Sequence, residues 1–89
     1  MFFQVIIDDD AFVAAGFGGR DEVEDPLATA LRGQRIGEVV GGGGGEGRLT
    51  IELEIDDGLG AQVAVEKLLS LLRSLGLPEG TQLKGVWSI

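Results

Sequence analysis

The sequence predicts an α+β fold: a two-layer sandwich in which two helices cover one face of an antiparallel sheet ordered 4-1-3-2. Three observations carry this. The stretch Arg48 to Asp56 alternates without a break, Leu49, Ile51, Leu53 and Ile55 against Arg48, Thr50, Glu52, Glu54 and Asp56, the period of a strand with one dry and one wet face. Leu59 to Leu75 repeats its apolar residues at helical spacing. The order of elements reads βαββαβ, and two strand-helix-strand units with right-handed crossovers most simply give the split arrangement called ferredoxin-like.

In chain order, Phe2 to Ile7 is apolar on both parities, as expected of a central strand. Asp8 to Asp25 has no sustained period, although Ala11 to Ala15 can form one helical turn, so a long connection is expected here. Asp25-Pro26 reads as an N-cap with proline at the first helical position. Leu27, Ala30, Leu31 and Gln34 then share a face, and Gly33 and Gly37 offer a stop. Ile36 to Val40 is a short strand, and Gly41 to Gly45 a loose hairpin leading to the central strand.

In the second helix Ala61, Ala64, Val65, Leu68, Leu69, Leu71, Leu72 and Leu75 fill one arc. Asp56 or Asp57 caps its start, and Gly76-Leu77-Pro78 ends it, with Leu77 placed to touch Leu72. Gln82 to Ile89 is the last strand, Leu83, Trp87 and Ile89 sharing a parity. This topology brings the loop from Asp8, the glycine hairpin and the Leu77 to Thr81 connection to one edge.

Eighty-nine residues suit a single domain spanning 1–89, and a hydrophobic content of 44% argues for a core rather than disorder. No apolar run approaches the ~18 to 20 residues of a membrane span. Met1 leads into Phe2-Phe3 and Asp8 without the succession of a secretory leader, so a cytoplasmic location is expected. Cysteine and histidine are absent, which removes thiol and imidazole chemistry, and neither a cofactor nor a metal is expected. A net charge of −8 repels phosphate backbones and anionic lipid, so nucleic acid and membranes are expected not to be partners.

Asp8, Asp9 and Asp10, with Glu46 in the facing hairpin, can offer oxygen to a hard cation. The placement is similar to that of nucleotidyl-transferase palm domains, but the hairpin brings glycines and a single glutamate. A solvated acidic turn that also punctuates the strand is the favoured reading of the run. The bare amides of Gly43, Gly44 and Gly45 beside Arg48 suggest a weak anion site, without the lysine-serine or lysine-threonine ending of a nucleotide loop. VAAGFGGR, Val13 to Arg20, resembles the anion loop of acylphosphatases, though its glycines and arginine are spaced differently. On the face away from the helices, Phe2, Ile6 and Val86 form a candidate homodimer face.

EDPLATAL (Glu24 to Leu31), GEVVGGG (Gly37 to Gly43) and LGLPEGTQL (Leu75 to Leu83) together resemble a group of small bacterial proteins of unassigned activity. The resemblance implies a bacterial cytosolic domain and no particular chemistry. The composition favours a non-catalytic protein-binding or regulatory module. Its expected surface is Asp8, Asp9, Asp10, Asp21, Glu22, Glu24, Asp25 and Glu46, and its expected partner a basic protein. The alternatives are a sensor of a small ligand, nucleotide or divalent cation at the loop edge, and a carboxylate-based hydrolase. The hydrolase would need paired acids in a cleft that so small a fold rarely supplies.

Overall fold

The computed structural model describes residues 1–86, with Val86 described by its backbone alone. The elements are β1 (Phe2–Asp8), α1 (Asp9–Ala14), α2 (Asp21–Gly33), β2 (Gly37–Gly45), β3 (Arg48–Ile55), a 3-10 turn (Asp57–Leu59), α3 (Ala61–Ser74) and β4 (Gln82–Val86). The fold is α+β. Its four strands form an open sheet in the order β2-β3-β1-β4, the expected 4-1-3-2 read from the other edge, and all neighbours are antiparallel. The expected last strand is seen from Gln82 to Val86, and Trp87, Ser88 and Ile89 lie outside the described residues.

The register of β1 on β3 sets Phe3 opposite Leu53, Val5 opposite Ile51 and Ile7 opposite Leu49. Phe3, Val5, Ile7, Ile51, Leu53 and Ile55 are buried and join Val23, Leu27 and Leu31 of α2 and Ala64, Leu68 and Leu72 of α3 in one core. Phe2, Gln4, Ile6, Thr50, Glu52 and Glu54 take the other parity, on a face that no helix covers. The period of two seen in the sequence is thus the two-layer division itself.

Several boundaries depart from expectation. The stretch Asp8 to Asp25 is mostly helical: Asp8 caps α1 by accepting from the Ala11 N–H at 3.0 Å, and only residues 15–20 connect it to α2. Helix α2 starts at Asp21 rather than at Pro26. The Glu22 carboxylate turns back to accept from the Gly18 and Gly19 amides, and buried Val23 extends the stripe of Leu27 and Leu31 by one turn. Pro26 is carried inside the helix, and Gln34 is exposed. Before α3, Asp56 caps the 3-10 turn through the Gly58 amide, and Gly60, at φ 78°, opens the helix. Ala61 and Leu69, expected on the apolar arc, are exposed.

All three helices stop by one device. The residue after the C-cap turns left-handed, Gly16 at φ 93°, Arg35 at φ 56° and Gly76 at φ 72°, and an apolar residue follows. In α1 this places Phe17 against Phe12, ring centroids 4.9 Å apart, with the Phe17 N–H donating to the Phe12 carbonyl. In α2 the stop is Arg35 rather than a glycine, and the Ile36 N–H reaches the Leu31 carbonyl at 3.0 Å.

Two outcomes follow. Left-handed backbone costs a side-chain-bearing residue roughly 1–2 kcal/mol, so Arg35→Gly should raise the unfolding free energy by about 0.5–1 kcal/mol in a urea titration. Leu68→Ala should lower it by about 2–5 kcal/mol, whereas Leu69→Ala should change it by less than about 1 kcal/mol.

Candidate functional site

The chemistry-bearing residues collect where the β2–β3 hairpin meets the end of β1. Asp8 stands opposite Arg48 in the ladder, and the Asp9 N–H donates to the Gly47 carbonyl at 2.9 Å, which ties the start of α1 to the hairpin tip. Asp8, Asp9, Asp10, Glu46 and Arg48 line a hollow of about 490 Å³ together with Gly80 and Gln82. The expected meeting of the Asp8 segment, the hairpin and the Leu77 to Thr81 connection is therefore present.

The eight expected partner-binding acids are not equivalent, and most of them belong to helices rather than to the long connection expected from Asp8 to Asp25. Asp8 is occupied as a cap, Glu22 by the Gly18 and Gly19 amides, and Glu24 by Arg20, whose Nε lies 2.7 Å from Glu24 Oε1. This pair is an electrostatic contact rather than an aligned hydrogen bond, and it is partly exposed, so it contributes only about 0.3–0.5 kcal/mol. Asp10, Asp21, Asp25 and Glu46 are exposed and Asp9 is half-buried. Asp9, Asp10 and Asp21 occupy helical first turns, where negative charge complements the unsatisfied amides.

The glycine run is the largest correction. Gly41 to Gly45 is a strand, not a loose loop, paired with Glu52, Ile51, Thr50, Leu49 and Arg48 in turn. The turn is only Glu46 and Gly47, at φ 55° and 77°, positive at both central positions as a two-residue hairpin demands. A shift in pairing between Val39 and Gly41 leaves Val40 as a bulge. At Gly42 a side chain would begin 2.8 Å from the Thr50 carbonyl oxygen of the neighbouring strand and, because the Arg20–Glu24 pair lies on the strand at this point, 2.9 Å from Glu24 Oε1. At Gly43 no atom lies within 4 Å of the place a Cβ would take.

Gly43, Gly44, Gly45 and Arg48, the proposed anion cradle, do border one hollow, of about 410 Å³ on the open face beside Gln4 and Thr50. Their amides do not converge, because an extended strand points successive N–H groups to opposite sides. Among the described residues no group of three or more carboxylates is placed to hold a metal ion. On the candidate dimer face Phe2 is 51% exposed and Ile6 half-buried. Gln4 separates them, and Glu54 and Glu52 stand opposite Phe2 and Gln4, so their apolar surface is interrupted by charge. The side chain of Val86 lies outside the described residues.

Sequence reading passed over the three sheet carboxylates Glu38, Glu52 and Glu54. Glu38 stands directly opposite Glu54, a like-charge pair that costs rather than contributes, and none of the three makes an ion pair among the described residues. The alternation of Glu52 and Glu54 placed them on the wet face, but the meeting of Glu54 with Glu38 needed the bulge. Among the described residues no helix is long and apolar enough to cross a membrane. Comparison with protein-family models, with curated proteins and with solved structures returns no match for the chain.

The glycines separate into necessary and dispensable. Gly42→Ala should cost about 1–3 kcal/mol, because a tightly packed neighbour must yield. Gly43→Ala should be neutral, or stabilising by up to about 1 kcal/mol, because it meets nothing and restricts the unfolded chain. Equal losses at both positions in chemical denaturation would show that the strand itself, not the Arg20–Glu24 seat, requires glycine.

Proposed function

We propose that the protein is a non-catalytic binding module of the bacterial cytosol, a ferredoxin-like sandwich that engages a basic protein partner through the acidic end where β1, α1 and the β2–β3 hairpin meet. The observation that carries this reading is the gathering of Asp9, Asp10 and Glu46 around one hollow with Asp8, while Asp21 and Asp25 stay exposed on α2. The supporting chemistry is negative: the chain has no cysteine or histidine and carries a net charge of −8. Such a surface speeds encounter with a basic protein and resists acidic ones.

The variant that tests this keeps Asp8, since its cap holds α1, and changes Asp9→Asn, Asp10→Asn and Glu46→Gln together. Loss of the helix-terminal charges should cost only about 0.3–1 kcal/mol each, so the variant folds. Basic proteins captured from a bacterial lysate by the native chain at low salt should be lost with the variant. They should also be lost as the screening length falls from about 10 Å at 0.1 M to 3 Å at 1 M salt. Equal recovery by both chains would remove the acidic end from the binding surface.

A further inference from the structure

We propose that the free edge of β2, along Gly41 to Gly45, takes up an extended basic peptide segment as a fifth strand. The proposal rests on the reading of the protein as a module for basic partners and adds the mode of engagement. Three observations lead to it.

The first is which backbone groups the edge presents. Met1 and Ile55 exchange both backbone bonds, at 2.7 and 2.8 Å. Ile55, Leu53 and Ile51 therefore turn their amides to β1, and Glu54, Glu52, Thr50 and Arg48 turn theirs to β2. Their partners Gly41, Gly43 and Gly45 are thereby used within the sheet. Gly42 and Gly44 direct N–H and C=O outward, away from β3, at the edge of the sheet. A row of such groups is a template for strand addition.

The second is that the protections of this edge, Glu38 and the bulge at Val40, both lie before the strip and leave Gly41 to Gly45 itself without any. The opposite edge, β4, has five described residues and carries Lys84, whereas β2 has nine and carries no charge or proline from Gly41 to Gly45. Packing accounts for glycine at position 42. It does not account for it at 43, where a Cβ would meet nothing, or at 44, where the nearest atom lies at 3.7 Å. Glycine in a strand weakens it and often marks a bulge, a tight bend or a close approach by another backbone; the bulge of this strand lies earlier, at Val40, which leaves close approach as the reading for positions 43 and 44.

The third is charge. Glu38, Glu46, Glu52 and Glu54 outnumber Arg20 and Arg48 around the strip; Arg20 is already paired with Glu24, and Glu38 and Glu54 are opposed to each other. Lysines or arginines on an added strand relieve that repulsion, whereas a second copy brings another net charge of −8.

The probe is a blocked peptide matching β2 in its nine residues, with lysine at each end and threonine and valine alternating between. Titrated into isotope-labelled protein, it should shift the amides of Gly42 and Gly44 and slow their hydrogen exchange. The same peptide N-methylated at alternate amides, or ended with glutamates, should bind at least ~10-fold more weakly, because strand addition draws its affinity from backbone bonds. Gly44→Pro removes an outward N–H and should abolish the shifts with a melting temperature within about 5 °C of the native chain. If that variant does not fold, the N-methylated peptide still decides, since it leaves the protein unaltered.

Absence of shifts on β2, or equal binding of the methylated peptide, overturns strand addition. Concentration-dependent shifts of Gly42 and Gly44 without peptide would overturn it in favour of a second copy. The acidic end is judged separately by capture with the Asp9, Asp10 and Glu46 variant, so one reading can fail while the other stands.

Discussion

The pairing of β1 with β3 fixes everything else. Seven consecutive residues of β1, Phe2 to Asp8, are matched to Glu54 through Arg48, and this register puts Phe3, Val5, Ile7, Ile51 and Leu53 on one face. A slip of one residue would turn β1 over, bringing Phe2, Gln4 and Ile6 under the helices and Val5 and Ile7 into water. The same register carries Asp8 to Arg48 and brings the first residue of α1 within hydrogen-bond reach of Gly47. The acidic end is thus a consequence of where the central pair stops. The core and the candidate surface share one determinant, so a change that loosened this pair would disturb both.

The fold and its sheet order were legible because the signals were periodic. Strict alternation from Arg48 to Asp56 and helical spacing from Leu59 to Leu75 survive small errors at their ends. The misjudged segments are those where a local rule was overruled by packing. Asp25-Pro26 has the form of a helix start, but Val23, Leu27 and Leu31 make a stripe at intervals of four, and burying Val23 outweighs the bond that Pro26 cannot donate. Five consecutive glycines have the form of a loop, yet β3 supplies a complete line of partners and the turn needs only Glu46 and Gly47. Gly16-Phe17 carried the same stop signal as Gly76-Leu77. It was passed over because α1 is only six residues long and shows no period.

Of the candidate site, the meeting of Asp8 to Asp10 with Glu46 was readable from topology alone, whereas the division of labour among the acids was not. Whether a carboxylate caps an amide, pairs with an arginine or stands free depends on backbone geometry that spacing does not record. Glu22 and Glu24, two residues apart, are held by different groups: one accepts from Gly18 and Gly19, the other pairs with Arg20 over Gly42. The seat at Gly42 also shows why a run of identical residues need not have a uniform purpose.

Two physical classes stand out among the acids of this chain. Those in the first turns of α1 and α2 sit where the helix ends favour negative charge, and each has a stabilising reason for its place of a few tenths of a kcal/mol or more. Glu38, Glu52 and Glu54 have none: they lie on an antiparallel sheet without a helix terminus or, among the described residues, an ion-pair partner, and two of them face each other across strands. Solubility alone does not require that arrangement, since charges dispersed over the helices provide it without cross-strand repulsion. A charge that the fold tolerates at a cost says more about a partner than one that the fold would retain for its own stability. By that measure the sheet carboxylates beside the glycine edge bear on the proposed strand addition more directly than the helix-borne acids bear on the proposed acidic end, because only the latter have a structural reason for their place.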